Sequence, residues 1–179
     1  MLEKLPTKFA DAFLIRVPAF ADDRGIFKET YVRSKYCKLG IGDEFVQDSM
    51  SFSRRDVLRG LHADPQMSKL VQVLRGEAFD VIVDTRKESP TFGQWEGVHL
   101  RAAEHTQIYI PAGFLHGFLA LTDDVVFSYK QSAEYAQERE IGVRWDDPDL
   151  AIAWPLTAPP LLSPKDLCHV MFRDAFETR

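Results

Sequence analysis

Two short runs of the sequence combine basic side chains with residues that favour β-strands. Residues 57–62 read VLRGLH and are followed by Lys69, while residues 111–116 read PAGFLH. Basic groups within strands are costly to bury unless they share an anionic ligand or pair with acidic groups. The guanidinium of Arg59 and the imidazoles of His62 and His116 therefore indicate a site inside a β-barrel.

Strand parity suggests that several polar groups point into the same interior. Lys69, His116 and Tyr129 each stand in phase with apolar residues of the same run. A single histidine or tyrosine on an apolar face is more often a hydrogen-bonded core residue than a catalyst. If the three faces converge, one cavity holds a base, a cation and a phenol. These are the groups needed to move protons beside a developing oxyanion.

A metal centre is an alternative interpretation of the same residues. The PxGxxH pattern at 111–116 resembles the second half of the metal-binding motif of cupins, and His62, Asp64 and His116 offer two imidazoles and a carboxylate for iron. Lys69, however, stands near the place of the glutamate in that motif. Because a nearby ammonium repels a divalent ion, we predict no metal site.

The elements that must position these groups are predicted to be short strands. The runs 69–74 and 79–84 alternate on either side of Gly76, as half-buried strands do. Other strands are predicted at about 11–18, 26–32, 44–52, 96–101, 105–110, 114–121 and 125–132. Helices are predicted at 33–39, before Gly40, and after the capping sequence SPKD at 163–166. We therefore predict a mainly β fold, a cupin-type antiparallel jelly-roll barrel with a C-terminal helical segment.

Composition limits the kind of protein. The chain has 179 residues, 45% hydrophobic and 27% charged, which is ordinary for one globular domain. We predict a single domain over 1–179, with a core at about 8–155 and a tail at 156–179 that packs on the barrel. The net charge of -5 argues against nucleic-acid and membrane partners. Two cysteines, and no apolar run near the roughly 18 residues of a membrane span, predict a cytoplasmic location.

A series of motifs runs in order from about residue 8 to 170. They read DRGIFKE (23–29), VQD (46–48), LRGLH (58–62), KLV (69–71), DVIVDTR (80–86), SPTFGQW (89–95), IPAGFLHGF (110–118), WDDP (145–148) and WP (154–155). The series resembles the dTDP-4-dehydrorhamnose 3,5-epimerase family, metal-free cupin-type enzymes of deoxysugar biosynthesis. The resemblance implies an epimerase that acts at C3 and C5 of a nucleotide-linked 4-keto-6-deoxyhexose, without a metal or cofactor.

The resemblance also implies a role for individual residues. His62 matches the base and Asp166 its carboxylate partner, which orients the imidazole ring. Tyr129 matches the acid that reprotonates C5, and Lys69 the cation that stabilises the enolate. His99, His105 and His169 match no catalytic position and are predicted to be surface or packing residues.

Substrate binding is implied for eight further positions. Guanidinium groups suit the diphosphate. The family residues that match Phe27 and Glu29 help to hold the nucleotide, partly across a subunit boundary, which implies a homodimer. The substrate-binding residues implied are Arg24, Phe27, Glu29, Gln47, Ser49, Arg59, His116 and Tyr135.

Departures from the family pattern leave the substrate open. Ser49-Met50 replaces a common Asn-His, Ala63-Asp64 replaces a frequent Tyr-Gln, and Glu134 stands where dTDP-specific members usually carry an aromatic residue. An aromatic stack on a base contributes about 1–3 kcal/mol in nucleic-acid binding. The alternatives are a single-site C3 or C5 epimerase on a GDP- or CDP-linked ketosugar, a metal-dependent cupin, and a non-catalytic cupin that binds a sugar nucleotide.

Overall fold

The computed structural model describes residues 1–176 and consists mostly of strands. Its three α-helices are short: α1 (Arg33–Cys37), α2 (Pro164–Leu167) and α3 (Phe172–Phe176). The strands are β1 (Glu3–Pro6), β2 (Phe13–Arg16), β3 (Ala19–Asp22), β4 (Gly25–Lys28), β5 (Gln47–Ser53), β6 (Leu58–Ala63), β7 (Lys69–Arg75), β8 (Glu77–Asp84), β9 (Trp95–Arg101), β10 (Thr106–Ile110), β11 (Phe114–Ala120), β12 (Val125–Gln131) and β13 (Ile141–Gly142).

Two antiparallel sheets face each other. One has six strands in the order β1-β2-β10-β7-β12-β5, and the other has five in the order β13-β6-β11-β8-β9. Apolar residues from both form one continuous core, in which Val71 and Phe127 of the first sheet pack with Ile82 and Phe118 of the second. The phenyl rings of Phe118 and Phe127 stack with centroids 4.3 Å apart. The interior faces predicted from strand parity therefore meet in this core.

Both sheets are also covered on part of their outer faces. Segments after β13 pack Leu150, Trp154 and Phe172 against the five-stranded sheet. Tyr36 of α1 and Ile41 cover part of the six-stranded sheet. Central strands β8 and β11 are consequently buried almost throughout. The expected tail at 156–179 extends past the described range by its last three residues.

A bulge separates two of the predicted site residues on β6. His62 pairs with His116 and Arg59 pairs with Phe118, so β6 contains one residue more than β11 across this interval. Gly60 lies in the bulge with a φ of 121°, and a Cβ there would be 2.7 Å from the Cα of Gly117. The two backbones can approach this closely only because both residues lack side chains.

The hairpin β3–β4 stands apart from both sheets. Within residues 1–176, its two strands pair only with each other. Phe20, Ile26 and Phe27 on it are all largely exposed, Phe27 by 71%. Arg24 in its turn pairs with Asp22. A small hairpin that exposes three large apolar side chains has the composition of a surface that meets another molecule.

The predicted elements agree with the structure in kind more than in extent. The strands predicted at 96–101, 105–110, 114–121 and 125–132 are observed within about one residue at most ends, whereas the run 26–32 is a strand only to Lys28. The helix predicted at 33–39 is observed at Arg33–Cys37. No strand range was predicted for β1, β3, β6 and β13, although the run 57–62 was recognised as rich in residues that favour strands. Among the described residues, no helix is long and apolar enough to cross a membrane.

Candidate active site

A cavity of about 500 Å³ opens between the two sheets and the loop that carries α2. Its lining is rich in polar and charged groups, with side chains from β5, β6, β7 and β12. Eight of the twelve residues predicted for the site line this cavity. They are Gln47, Ser49, Arg59, His62, Lys69, Tyr129, Tyr135 and Asp166.

The bulge in β6 explains why two of these residues share the cavity. Arg59 and His62 are separated by an odd number of positions, which would place their side chains on opposite faces of a regular strand. The extra residue in β6 reverses this parity, and both side chains line the cavity. Arg59 Nε donates a hydrogen bond to Ser53 Oγ at 3.1 Å.

The shortest polar contact between two predicted site residues joins a histidine and a carboxylate. His62 Nε2 lies 2.6 Å from Asp166 Oδ1, although the two residues are 104 positions apart. An ionised carboxylate only accepts hydrogen bonds, so Nε2 carries the proton and Nδ1 has the free lone pair. Burial alone raises the pKa of Asp166, but the hydrogen bond and the charge of His62 hold that pKa below its usual value. The arrangement leaves the imidazole able to accept a proton and stabilises the imidazolium that results.

Ser163 holds the carboxylate of Asp166 in place. Its Oγ donates to Asp166 Oδ2 at 2.8 Å and accepts the Asp166 N–H at 3.1 Å. The second bond is the N-cap of α2, as the sequence SPKD predicted. One hydroxyl therefore starts the helix and also fixes the carboxylate.

Tyr129 reaches the cavity from the six-stranded sheet. Its hydroxyl lies 3.4 Å from Ser51 Oγ, and its ring packs against Phe127 with centroids 4.9 Å apart. Burial raises the pKa of Tyr129 well above its usual value. The phenol therefore stays protonated over the physiological pH range and can donate a proton or a hydrogen bond.

Lys69 brings a positive charge to the same cavity. Burial lowers its pKa, while the acidic side chains of Glu140, Asp80 and Asp64 partly oppose that shift. In the described part of the chain, its ammonium makes no hydrogen bond or ion pair at contact distance. A desolvated ammonium without a close partner is well prepared to stabilise an anion that forms on a ligand.

A second group of charged residues lies beside His62, and none of its charged side chains was predicted as a site residue. Glu140 Oε1 is 3.9 Å from His62 Nε2 and forms a close ion pair with Lys165. Lys165 Nζ also donates to the hydroxyl of Tyr135 at 3.3 Å. Burial raises the pKa of Glu140, but the bond from Lys165 and the charge of His62 give a net pKa below the usual value. Glu140 directly follows a short 3-10 turn at Gln137–Arg139, where no strand period could indicate the direction of its side chain.

The opposite wall is made of amides and hydroxyls. Gln47 Nε2 donates to Ser49 Oγ at 2.9 Å, and that hydroxyl donates to Gln131 Oε1 at 2.7 Å. Gln47 Oε1 accepts the N–H of Tyr135 at 2.8 Å, which ties the loop after β12 to β5. This wall can offer neutral hydrogen bonds to a sugar or a base.

Four predicted residues do not line the cavity. His116 is buried between the sheets, where its Nε2 is 2.7 Å from Asp80 Oδ1 and its ring is 6.2 Å from that of Tyr129. The other three, Arg24, Phe27 and Glu29, lie on or just after the exposed hairpin, and Glu29 is paired with Lys35.

The three residues considered for a metal alternative have separate partners. Asp64 is paired with Arg139 at 3.0 Å. His116 and His62 are hydrogen bonded to two different carboxylates, those of Asp80 and Asp166. These three side chains therefore do not converge on one point.

Comparisons with known proteins agree on one family. The sequence model described as dTDP-4-dehydrorhamnose 3,5-epimerase matches residues 6–174. The enzyme of that name from Pseudomonas aeruginosa is 46% identical over 168 residues, covering 92% of this chain and 93% of its own.

Solved structures of similar proteins have the same fold. A dTDP-6-deoxy-D-glucose-3,5-epimerase from Legionella pneumophila in complex with dTDP-4-keto-L-rhamnose superposes with a TM-score of 0.94 at 43% identity, covering 97% of this chain and 94% of its own. A 3'-monoepimerase from Streptomyces bikiniensis in complex with dTDP-quinovose gives a TM-score of 0.90 at 35% identity, covering 97% and 89%. The predicted cupin-type jelly roll is confirmed.

Proposed function

The chain belongs to the dTDP-4-dehydrorhamnose 3,5-epimerase family, and on that premise we propose that it epimerises C3 and C5 of a dTDP-linked 4-keto-6-deoxyhexose. The observation that carries the proposal is the contact of 2.6 Å between His62 and Asp166 in a cavity that also contains Lys69 and Tyr129.

The proposed reaction removes and returns a proton beside a ketone. The ketone at C4 acidifies the C–H bonds at C3 and C5. His62 takes a proton, the electron pair of the C–H bond moves into an enolate, and the charge on the C4 oxygen is stabilised by Lys69. A proton is then delivered to the opposite face of the carbon, from Tyr129 at C5. His62 and Tyr129 come from the two facing sheets, which supports their action on opposite sides of a sugar bound between them.

The remaining residues are assigned to substrate binding. Arg59, Gln47, Ser49 and Tyr135 line the cavity and suit the diphosphate and the polar groups of the nucleotide and sugar. His116, buried behind Tyr129, is assigned to the interior side of the same site. The dTDP ligands of the Legionella and Streptomyces relatives support a thymidine nucleotide over a guanosine or cytidine one.

A homodimer is part of the proposal. Arg24, Phe27 and Glu29 do not line the cavity of their own chain, and the hairpin that carries Arg24 and Phe27 exposes apolar side chains. In a dimer, these residues would complete the nucleotide site of the partner. A cytoplasmic location is also proposed, supported by two free cysteines, which suit a reducing compartment.

A second candidate is epimerisation at one carbon only. It is favoured by the likeness to the Streptomyces 3'-monoepimerase, whose fold is the same. Proton removal and return at one carbon would use the same base and cation, so the side chains of the cavity suit both reactions.

The test is NMR of deuterium incorporation from D₂O into dTDP-, GDP- and CDP-linked 4-keto-6-deoxyhexoses, following C3 and C5 separately. The proposal predicts exchange at both carbons of the dTDP sugar and none with the His62→Ala variant. Exchange at one carbon would establish the single-site enzyme. No exchange in any series would refute both candidates.

A further inference from the structure

His169 lies beside the proposed catalytic pair without a hydrogen-bond partner. Its side chain is only 8% exposed, and both ring nitrogens are buried and unpartnered within the described residues. Its ring stands edge-on to that of His62 with centroids 5.1 Å apart, and its Nε2 is 3.8 Å from Asp166 Oδ1. A buried polar group without a partner is costly, so this arrangement calls for an explanation.

Two features of the fold fix the position of the His169 ring. Val170 forms a bridge to Val143, which fixes the backbone next to His169 against the end of β13. Gly142 pairs with His62 in the sheet, and a Cβ on Gly142 would be 2.3 Å from ring atoms of His169. The absence of a side chain at Gly142 therefore makes the space in which the imidazole meets the catalytic pair.

Three groups of this cluster have the chemistry of metal ligands. His62, Asp166 and His169 each offer one ligand atom, and these atoms lie within 4.8 Å of one another. Two imidazoles and a carboxylate suit zinc and its transition-metal neighbours rather than magnesium or calcium. With metal–ligand distances of about 2.0–2.2 Å, tetrahedral ligands lie about 3.4 Å apart. The present separations of 2.6 and 3.8 Å bracket that value.

We propose that His62, Asp166 and His169 form a site for a divalent transition-metal ion such as Zn²⁺, and that its occupancy inhibits the enzyme. The ion takes the place of the proton between His62 and Asp166 and gives His169 the partner that it lacks. Inhibition rests on the proposed function, because a neutral imidazole that binds the ion through Nε2 carries its proton on Nδ1, and the lone pair that the base needs is then no longer free. Two ammonium groups share this cavity. Lys165 is neutralised at contact distance by Glu140, and the acidic groups that act on Lys69 are Glu140, Asp80 and Asp64 rather than Asp166, so neither charge opposes binding strongly.

Zinc binding is measured first, without substrate, by titrating metal-free protein with ZnCl₂ in a calorimeter. We expect about one ion per chain in the wild type and at least a tenfold weaker affinity in His169→Gln, since even outer partners of metal ligands contribute about 10–100-fold. The matched control is His99→Gln, which removes a histidine that lies on the five-stranded sheet and packs on Phe79. It should bind as the wild type does.

A second variant tests the site without removing an imidazole. Gly142→Ala displaces the ring of His169, so we expect it to weaken zinc binding at least tenfold as well. Thermal unfolding confirms that each variant is folded, and anomalous diffraction at the zinc edge of soaked wild-type crystals locates the ion with no substitution at all. No binding, an ion located elsewhere, or equal affinities of the wild type and the His169 variant would overturn the site.

Activity separates this inference from the proposed function. A chelating buffer sets the free zinc concentration, so that the substrate diphosphate does not deplete it. Zinc should then inhibit the wild type and His99→Gln at the concentration that saturates the site. His169→Gln should retain most of its own metal-free activity at that concentration. Full activity of the zinc-saturated wild type would overturn the inhibition. If the metal-free wild type exchanges no ketosugar proton, the proposed function fails while calorimetry still decides the metal site.

Discussion

Replacement of Asp166 by asparagine tests the proposed catalytic pair most directly. Asparagine keeps the shape of the side chain and removes its charge. A hydrogen bond to a charged group contributes about 1.5–3 kcal/mol, and at 1.36 kcal/mol per factor of ten its loss lowers the rate about 10- to 150-fold. The amide can also present its NH₂ group to His62 Nε2, which would favour the wrong tautomer. In a serine-protease triad, the corresponding change lowers kcat about 10⁴-fold.

The expected fall in the rate of deuterium exchange is therefore between about 10-fold and 10⁴-fold at both carbons. The matched control is Ser163→Ala, which removes the hydrogen bond to Oδ2 and keeps the charge of Asp166. It should lose less activity than Asp166→Asn, together with about 1 kcal/mol of stability from the lost N-cap. An Asp166→Asn variant that is folded and exchanges within threefold of the wild type would refute the role of the pair.

Three further predictions follow from the cavity and the bulge. Tyr129→Phe should leave proton removal partly intact but prevent reprotonation at C5, so C5 epimerisation should fall more than exchange at C3; equal losses at both carbons would contradict the assignment. Because burial lowers the pKa of Lys69 from its usual 10.5, the ammonium loses its proton as the pH rises, at a lower pH than an exposed lysine does, and kcat should fall with it; Lys69→Arg, which stays protonated, should lose this alkaline limb. Gly60→Ala should destabilise the protein by about 1–3 kcal/mol in urea unfolding, since its Cβ would meet Gly117. Gly25→Ala, at a similar φ of 123° in open space, should cost less, and equal costs would contradict the packing argument.

The strands of the two sheets were mostly predictable, whether one or both of their faces are covered. The run from Lys69 to Leu74 alternates only in part, because Val71 and Val73 of β7 pack in the core while Leu70 on the other face packs in the cluster of Tyr36. β11 does not alternate, because the segments after β13 cover its outer face with Leu150 and Trp154. The strand β3 was missed because it belongs to a hairpin that is not paired with either sheet and contributes no residue to the core, so no core imposes a period on it.

The site was predictable where a residue could be matched to a motif, and not where loops meet. The predicted strands contain Lys69 and Tyr129, and the motif LRGLH contains His62. Glu140 lies between β12 and β13 and belongs to neither strand. Its partners Lys165 and His62 are distant from it in the sequence. His169 was assigned to surface or packing, but its position is set by the glycine opposite His62, which sequence alone does not reveal.

The geometry of the proposed catalytic pair depends on a helix that is too short to be stable alone. The helix α2 has four residues, far below the about 12–15 at which isolated helices become marginal. Its position must come from the segments on either side. Before it, the N–H of Leu58 donates to the Leu161 carbonyl at 3.0 Å; after it, the N–H of Arg144 donates to the Val170 carbonyl at 3.0 Å.

Both anchors lie on the sheet that carries His62. Leu58 begins β6 itself, and Arg144 follows the strand β13 that pairs with β6. The segment that contains Asp166 is therefore attached at both ends to β6, which contains His62, or to the chain just after β13, which pairs with β6. If β6 moves, His62 and Asp166 move together. His62 and Asp166 are 104 positions apart, and their contact of 2.6 Å does not need a long helix. The same sheet positions the imidazole of His62 and the carboxylate that orients it.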